Sequence, residues 1–225
     1  MNGQPLYLRQ LKLGTMDNFV YLVGSQASDE VMVVDPAWDI PAVERAAAED
    51  GKRIGAAFVS HCHHDHINGL PELLRRHDVP VYAQRTEADF SPQLRQYAGD
   101  ALRVLSPGDV LKVGRGEGAL EAKALHTPGH TPGSQSLWAG GAVASGDTVF
   151  VNGCGRCDLN GGDPEAMYRT IQSVLLALPE ETKLLPGHDY GDVAVSSLSR
   201  ERERNPYFQF HDLQSFVAYR MRPRK

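Results

Sequence analysis

The run Ser60-His61-Cys62-His63-His64-Asp65-His66 packs four histidines and one aspartate into six residues, and it restricts the fold more than any other part of the chain. Gly55 to Ser60, just before it, reads as a short buried strand. Ile67 to His77, just after it, reads as a helix with Ile67, Leu70, Leu73 and Leu74 on one face. The cluster therefore sits where a strand becomes a helix, a place where rigid scaffolds hold functional groups. In extended backbone alternate side chains share a face, so His61 and His63 point the same way. Asp65 and His66, at the turn into the helix, can face a second centre beside the first. Neutral imidazoles and carboxylates suit Zn²⁺ and Fe²⁺.

Three later segments extend the pattern, and each follows a candidate strand. They are His126-Thr127-Pro128-Gly129-His130-Thr131-Pro132-Gly133-Ser134, Ser145-Gly146-Asp147-Thr148 and Leu185-Pro186-Gly187-His188-Asp189-Tyr190. A glycine precedes each of His130, Asp147 and His188, which lets backbone and side chain approach a crowded site.

The remaining chain reads as alternating short elements. Asn18–Val23 and Val31–Val34 are apolar strands around a polar turn, and Pro41 opens a helix through Asp50. Val79–Ala83 is a strand, and Thr86–Tyr97 contains a helix broken near Pro92. Ala101–Leu105, Val110–Val113, Ala119–Leu125, Ser136–Trp138 and Ala142–Ser145 are short strands separated by Gly/Pro/Asp turns. Asp163 caps a helix predicted over Pro164–Leu178. Lys183–Leu185 is a further strand, and the remainder is helical with an interruption at Asn205-Pro206. Two groups of strands, each followed by helices, suit two sheets packed face to face with helices outside.

Composition bounds the setting. The chain has 225 residues, 41% hydrophobic and 23% charged, with a net charge of −5, enough for a full core and without a basic stripe for nucleic acid. Met1 to Gln10 shows no basic patch followed by an apolar run, and no stretch approaches the roughly 18 apolar residues of a membrane span. Three cysteines, Cys62, Cys154 and Cys157, leave at least one unpaired and fit a reducing, cytoplasmic setting. Arg220, Arg222, Arg224 and Lys225 make the C-terminus basic and read as a solvated tail. The expected partner is a small-molecule substrate, with neither nucleic acid nor membrane.

The order HxHxDH, TPGHTPGS, GDT and PGHDY, running from about Asn18 to about Pro206, resembles the metallo-β-lactamase superfamily. It is most similar to the glyoxalase II branch and the related persulfide dioxygenases. The resemblance implies an α+β fold, the αββα four-layer sandwich, as one domain over residues 1–225 with metals at one edge of the sheets. Position by position, it implies that His61, His63 and His130 hold one metal, that Asp65, His66 and His188 hold another, and that Asp147 bridges them. Two zinc ions would acidify a shared water and clamp a developing oxyanion, with Asp65 also moving a proton to the leaving group. The implied activity is hydrolysis of a thioester or a related small ester or amide.

Other residues carry weaker signals. Tyr190 would line the thiol-substrate pocket, as the resemblance implies, and Arg156 reads either as a substrate anion contact or as the ion-pair partner of Asp158 or Asp163. Asp35, at a strand end, is placed to orient a ligand histidine. His64 is expected to point away from the metals, Cys62 to pack as a buried thiol, and His126 to hydrogen-bond near the site. Cys154-Gly155-Arg156-Cys157 has the spacing of a redox or zinc pair, but without a second such pair or a thioredoxin-like βαβ pattern it reads as a loop. Only 37 residues follow His188, too few for the helical region with which glyoxalase II enzymes bind glutathione. The alternatives are a persulfide dioxygenase with one Fe²⁺ on His61, His130 and Asp147, and a non-catalytic, metal-stabilised interaction module.

Overall fold

The computed structural model describes residues 3–223. The chain begins with β1 (Leu6–Leu13), β2 (Asn18–Ser25), β3 (Glu30–Val34), α1 (Ile40–Glu49) and β4 (Arg53–Phe58). Then come α2 (His64–Ile67), α3 (Leu70–Arg76), β5 (Val81–Gln84), α4 (Arg85–Phe90), α5 (Pro92–Ala98) and β6 (Leu102–Leu105). These six strands form one sheet in sequence order. β1 to β3 pair antiparallel, whereas β3 to β6 are parallel and need helical crossovers, which α1, α2–α3 and α4–α5 supply.

The second half repeats the scheme with β7 (Val110–Val113), β8 (Leu120–His126), β9 (Gln135–Ala139), β10 (Ala142–Gly146), β11 (Val149–Phe150) and β12 (Gly153–Cys154). It continues with α6 (Pro164–Thr170), β13 (Lys183–Pro186), β14 (Ser196–Ser197), α7 (Leu198–Arg204) and α8 (Leu213–Arg220). Its sheet runs β14-β13-β10-β9-β8-β7, and β11–β12 is a small separate ribbon.

Strand β2 explains the layering. Its residues are buried on both faces, as a strand between two layers must be. Val20 and Leu22 pack with Ile40 and Val43 of α1, while Phe19, Tyr21 and Val23 pack with Ala122 and Leu137 of the second sheet. On the far side of that sheet, Val143 and Leu184 pack against Met167, Ile171, Leu198 and Phe216. The result is helices, sheet, sheet, helices, the αββα sandwich expected from the sequence. Among the described residues no helix is long and apolar enough to cross a membrane.

The short strands β11, β12 and β14 were not anticipated, β14 falling in a stretch read as helical, and four further details differ from the sequence reading. β1 was not anticipated, because Arg9, Gln10 and Lys12 spoil its apolar alternation at the sheet edge. The helix expected over Ile67–His77 is two pieces, α2 and α3, broken at Asn68-Gly69. There the Asn68 side chain accepts from Trp38 N at 2.7 Å and Gly69 N donates to Pro36 O at 3.1 Å. The helix expected over Pro164–Leu178 turns from α to π winding at Ile171–Leu175. The basic tail is only partly a tail. Arg220 is 6% exposed, ends α8, and donates from Nε to Gly155 O at 2.8 Å, while Arg222 is exposed and Arg224 and Lys225 lie outside the described residues.

The break at Gly69 reverses a simple expectation. Helix propensity alone favours alanine over glycine by about 1 kcal/mol. A Cβ at Gly69 would lie 2.8 Å from Pro36 O and 2.7 Å from Ile40 Cδ1, so the loop carrying α1 would have to move. Gly69→Ala is expected to destabilise the fold by about 1–3 kcal/mol, and the sign is read from the urea-unfolding midpoint.

Candidate metal centre

The site is built where the strands end. β4 runs out through Ser60 into His61, and α2 begins with His63 as its cap, so Asp65 and His66 lie in its first turn. β8, β10 and β13 end just before the segments carrying His130, Asp147 and His188. All seven residues singled out in the sequence come together at this one edge of the two sheets.

They form two groups. Ligand atoms of His61, His63 and His130 lie within 4.8 Å of one another, and so do those of Asp65, His66 and His188. His63 Nδ1 is 2.9 Å from His130 Nε2, and His66 Nε2 is 3.1 Å from His188 Nε2. Asp147 stands between the groups. Its Oδ2 is 3.6 Å from His130 Nε2, and its Oδ1 is 3.3 Å from His66 Nε2 and 3.4 Å from His188 Nε2. Asp65 Oδ2 lies 3.3 Å from both His66 and His188.

The outer ring nitrogens show why the inner ones converge. His130 Nδ1 donates to Arg156 O and His188 Nδ1 to Met16 O, each at 2.8 Å. His66 Nδ1 donates to Asp35 Oδ2 at 2.9 Å. The Ser60 hydroxyl donates to the same carboxylate oxygen at 2.6 Å, so its oxygen accepts from His61 Nδ1 at 3.0 Å. Carbonyls and carboxylates only accept, so the proton sits on the outer nitrogen and a lone pair can face inward, the tautomer a metal ligand needs. Two buried inner atoms, His61 Nε2 and Asp147 Oδ1, make no hydrogen bond at all. Lone pairs aimed at one another around orphaned buried atoms call for cations, and the donor set of imidazoles and carboxylates fits Zn²⁺ or Fe²⁺.

The two groups differ electrostatically. Burial pulls His61 well below an ordinary imidazole, and His63 and His130 are lowered for the same reason. Burial opposes charge on His66 and His188 too, but carboxylates outweigh it. The Asp147 carboxylate holds His66 well above its usual range, and the Asp147 and Asp65 carboxylates together raise His188 to about 9. Burial would raise both carboxylates, yet the facing imidazoles hold Asp147 and Asp65 well below the usual range. Burial thus favours the neutral form of the first group, whereas the carboxylates favour the charged form of His66 and His188 in the metal-free chain.

The other candidate residues fall into place around a cavity of about 590 Å³. Tyr190, 55% exposed, stacks on His188 with centroids 4.5 Å apart. Arg156 lines the same cavity and makes a bidentate pair with Asp158 at 2.9 and 2.8 Å, the ion-pair arm of its two readings. His64 is exposed on the cavity wall and belongs to neither group. His126 donates to or accepts nothing from the centre; its Nε2 meets Pro132 O at 3.1 Å. All three cysteines are buried and none is in a disulfide, and burial pushes Cys157 up to about 11, against a reactive thiolate. Asp35 does orient ligand rings, as expected. Sequence reading missed Asn18, whose amide holds Asp65 Oδ2 at 2.9 Å while its oxygen accepts from Trp38 Nε1 at 2.9 Å.

A family model described as the metallo-β-lactamase superfamily matches residues 13–188. A probable polyketide biosynthesis zinc-dependent hydrolase, PksB, of Bacillus subtilis is 29% identical over 91% of this chain and 88% of its own length. A hydroxyacylglutathione hydrolase of Alkalilimnicola ehrlichii is 40% identical over 77% of this chain, which spans only 62% of that protein. The mitochondrial persulfide dioxygenase ETHE1 of Homo sapiens is 31% identical over 91% of this chain and 77% of its own length. The chain belongs to the metallo-β-lactamase superfamily, a family of metal-dependent enzymes.

Because the second group holds protons that a cation must displace, its metal affinity depends on pH. His188, raised to about 9, is charged below that pH, so binding there weakens as pH falls, by roughly tenfold per unit for each proton released. Calorimetric titration of the metal-free protein with Zn²⁺, at pH 7 in buffers of different ionisation enthalpy, counts those protons. At least one proton released per two ions bound is expected; none would contradict the charge assignment.

Proposed function

We propose that this chain is a two-metal hydrolase of the glyoxalase II-like type, cleaving a thioester or a related small ester or amide. The observation that carries the reading is the Asp147 carboxylate, whose two oxygens face two separate, complete ligand groups. His61, His63 and His130 would hold one ion, Asp65, His66 and His188 the other, and Asp147 both, with Zn²⁺ as the metal. When bound, the ions supply Lewis acidity toward the substrate carbonyl and toward water.

The chain's own groups would do the rest. Asp65, steadied by Asn18, presents a carboxylate at the cavity wall, where it accepts the proton of the attacking water. As the new C–O bond forms and the C–S bond breaks, that proton passes to the departing thiolate. Met16, Phe150 and Leu159 give the cavity an apolar wall that limits stray water. Tyr190 and the Arg156–Asp158 pair are placed to contact the polar arm of a small-molecule substrate. The shared core between the sheets supports treating residues 1–225 as one domain, and three buried cysteines without a disulfide fit a cytoplasmic setting.

A second reading has its own support. The persulfide dioxygenase of Homo sapiens covers 91% of this chain, and a single Fe²⁺ on His61, His130 and Asp147 would use part of the same centre. Elemental mass spectrometry on protein purified anaerobically without added metal separates the two. Two zinc ions per chain with thioester hydrolysis are expected. One iron per chain with oxygen uptake on glutathione persulfide would replace the first reading by the second.

Asp147→Ala tests the bridge directly. Loss of metal from both groups is expected, with turnover lowered by at least about a hundredfold. Full activity and full metal content in that variant would remove the bridging role.

A further inference from the structure

Glu87 belongs to α4, away from every segment that carries a ligand, yet its carboxylate joins two of them. It is 1% exposed. One oxygen accepts from Cys62 N at 2.7 Å. The other accepts from the Thr131 hydroxyl at 2.8 Å and from Gly133 N at 2.9 Å. Cys62 lies between His61 and His63, and Thr131 follows His130. Gly133 is what lets α4 come so close, because a Cβ there would sit 2.1 Å from Glu87 N.

The side chains of the second group have anchors of their own. The rings of His66 and His188 are fixed by Asp35 and by Met16 O, and Asp65 is fixed by Asn18. None of those contacts involves Glu87. A buried carboxylate that accepts three donors binds each more strongly than a neutral acceptor would, and it sets the spacing of the two loops it spans. We propose that Glu87 is a positioning residue for the first group, holding the loop of His61 and His63 at ligand distance from His130. The proposal rests on the reading that this trio holds a metal ion.

Glutamine is not a conservative replacement here. Its amide has one oxygen and one NH₂, so whichever way it turns, a donor on one loop meets another donor. The test resolves the two groups by disabling one at a time. In a His188→Ala background, which leaves the first trio, adding Glu87→Gln is expected to weaken Zn²⁺ binding by about 10–100-fold in chelator competition. In a His61→Ala background, which leaves the second trio, the same change is expected to alter binding by no more than about twofold. Equal loss in both backgrounds, or none in the first, overturns the positioning role. If the His188→Ala protein with Glu87 intact binds no Zn²⁺, the metal reading of the trio fails, and the proposal with it.

Thr131→Val gives a second route should Glu87→Gln fail to fold. It removes one of the three hydrogen bonds while keeping the volume of a fully buried side chain. First-group affinity is expected to fall several-fold, and Thr131→Ser, which restores the hydroxyl, to recover it. Equal affinity in the valine and serine variants would count against the proposal.

Discussion

The Asp35 carboxylate is the contact on which both ligand groups depend. It takes the backbone N–H of Ser60 at 2.6 Å, the Ser60 hydroxyl at 2.6 Å and the His66 ring at 2.9 Å. Through Ser60 it orients His61 in the first group; directly, it orients His66 in the second. A single buried anion thus fixes the tautomer of one ring in each group, and the two rings come to lie with centroids 4.2 Å apart. Asp35 itself has a left-handed backbone, with φ of 53°, a conformation that costs energy for most residues and that aspartate tolerates better than most. The parallel pairing of β3 with β4 puts it there, since Asp35 N bonds Phe58 O at 2.8 Å across the strand ends.

The second sheet makes the matching arrangement by a different device. β10 and β13 run parallel, with an irregularity that shifts the register between Ala144 and Gly146 and sets Gly146 opposite Pro186. Gly187 N then bonds Gly146 O at 2.9 Å, and Phe19 N of the first sheet bonds Gly187 O at 2.8 Å. The two sheets are stitched together at the point where Asp147 and His188 leave them. This is the physical content of the glycines before Asp147 and His188. A Cβ on Gly146 would strike Ser60 Oγ at 2.3 Å, and one on Gly187 would lie 2.5 Å from Asp147 Oδ1. Asp147 and His188 reach the centre because the residues before them have no side chain.

The seven clustered residues are legible in the sequence because each is a side chain with a distinctive chemistry near a strand end. Most of what aims them is not. Two anchors, Met16 O and Arg156 O, are backbone carbonyls that any residue could supply, so no residue type announces them. Glu87 and Asn18 sit in ordinary-looking polar positions, and only the packing shows that their groups face inward. The same holds for the fold: β2, β3 and β7 are written in apolar runs, whereas the edge strand β1 is interrupted by charge, and the break between α2 and α3 depends on the carbonyl of Pro36. Arg220 looked like part of a solvated tail because its neighbours in sequence are basic. Its guanidinium instead holds Gly155 O, next to the carbonyl of Arg156 that orients His130, so the last helix reaches the centre through one loop.

The contrast between the two groups follows from where the carboxylates lie. Burying two acids beside His66 and His188 is costly unless each negative charge meets a positive one. In the metal-free chain protons on those imidazoles provide it, and on the two-metal reading the second ion provides it instead. The first group has no comparable store of protons, because burial already keeps His61, His63 and His130 neutral. An incoming cation therefore meets free lone pairs there and has no proton to expel. Asp147, with one oxygen toward each group, joins the two geometrically and so answers the charge of the one while standing beside the neutral rings of the other.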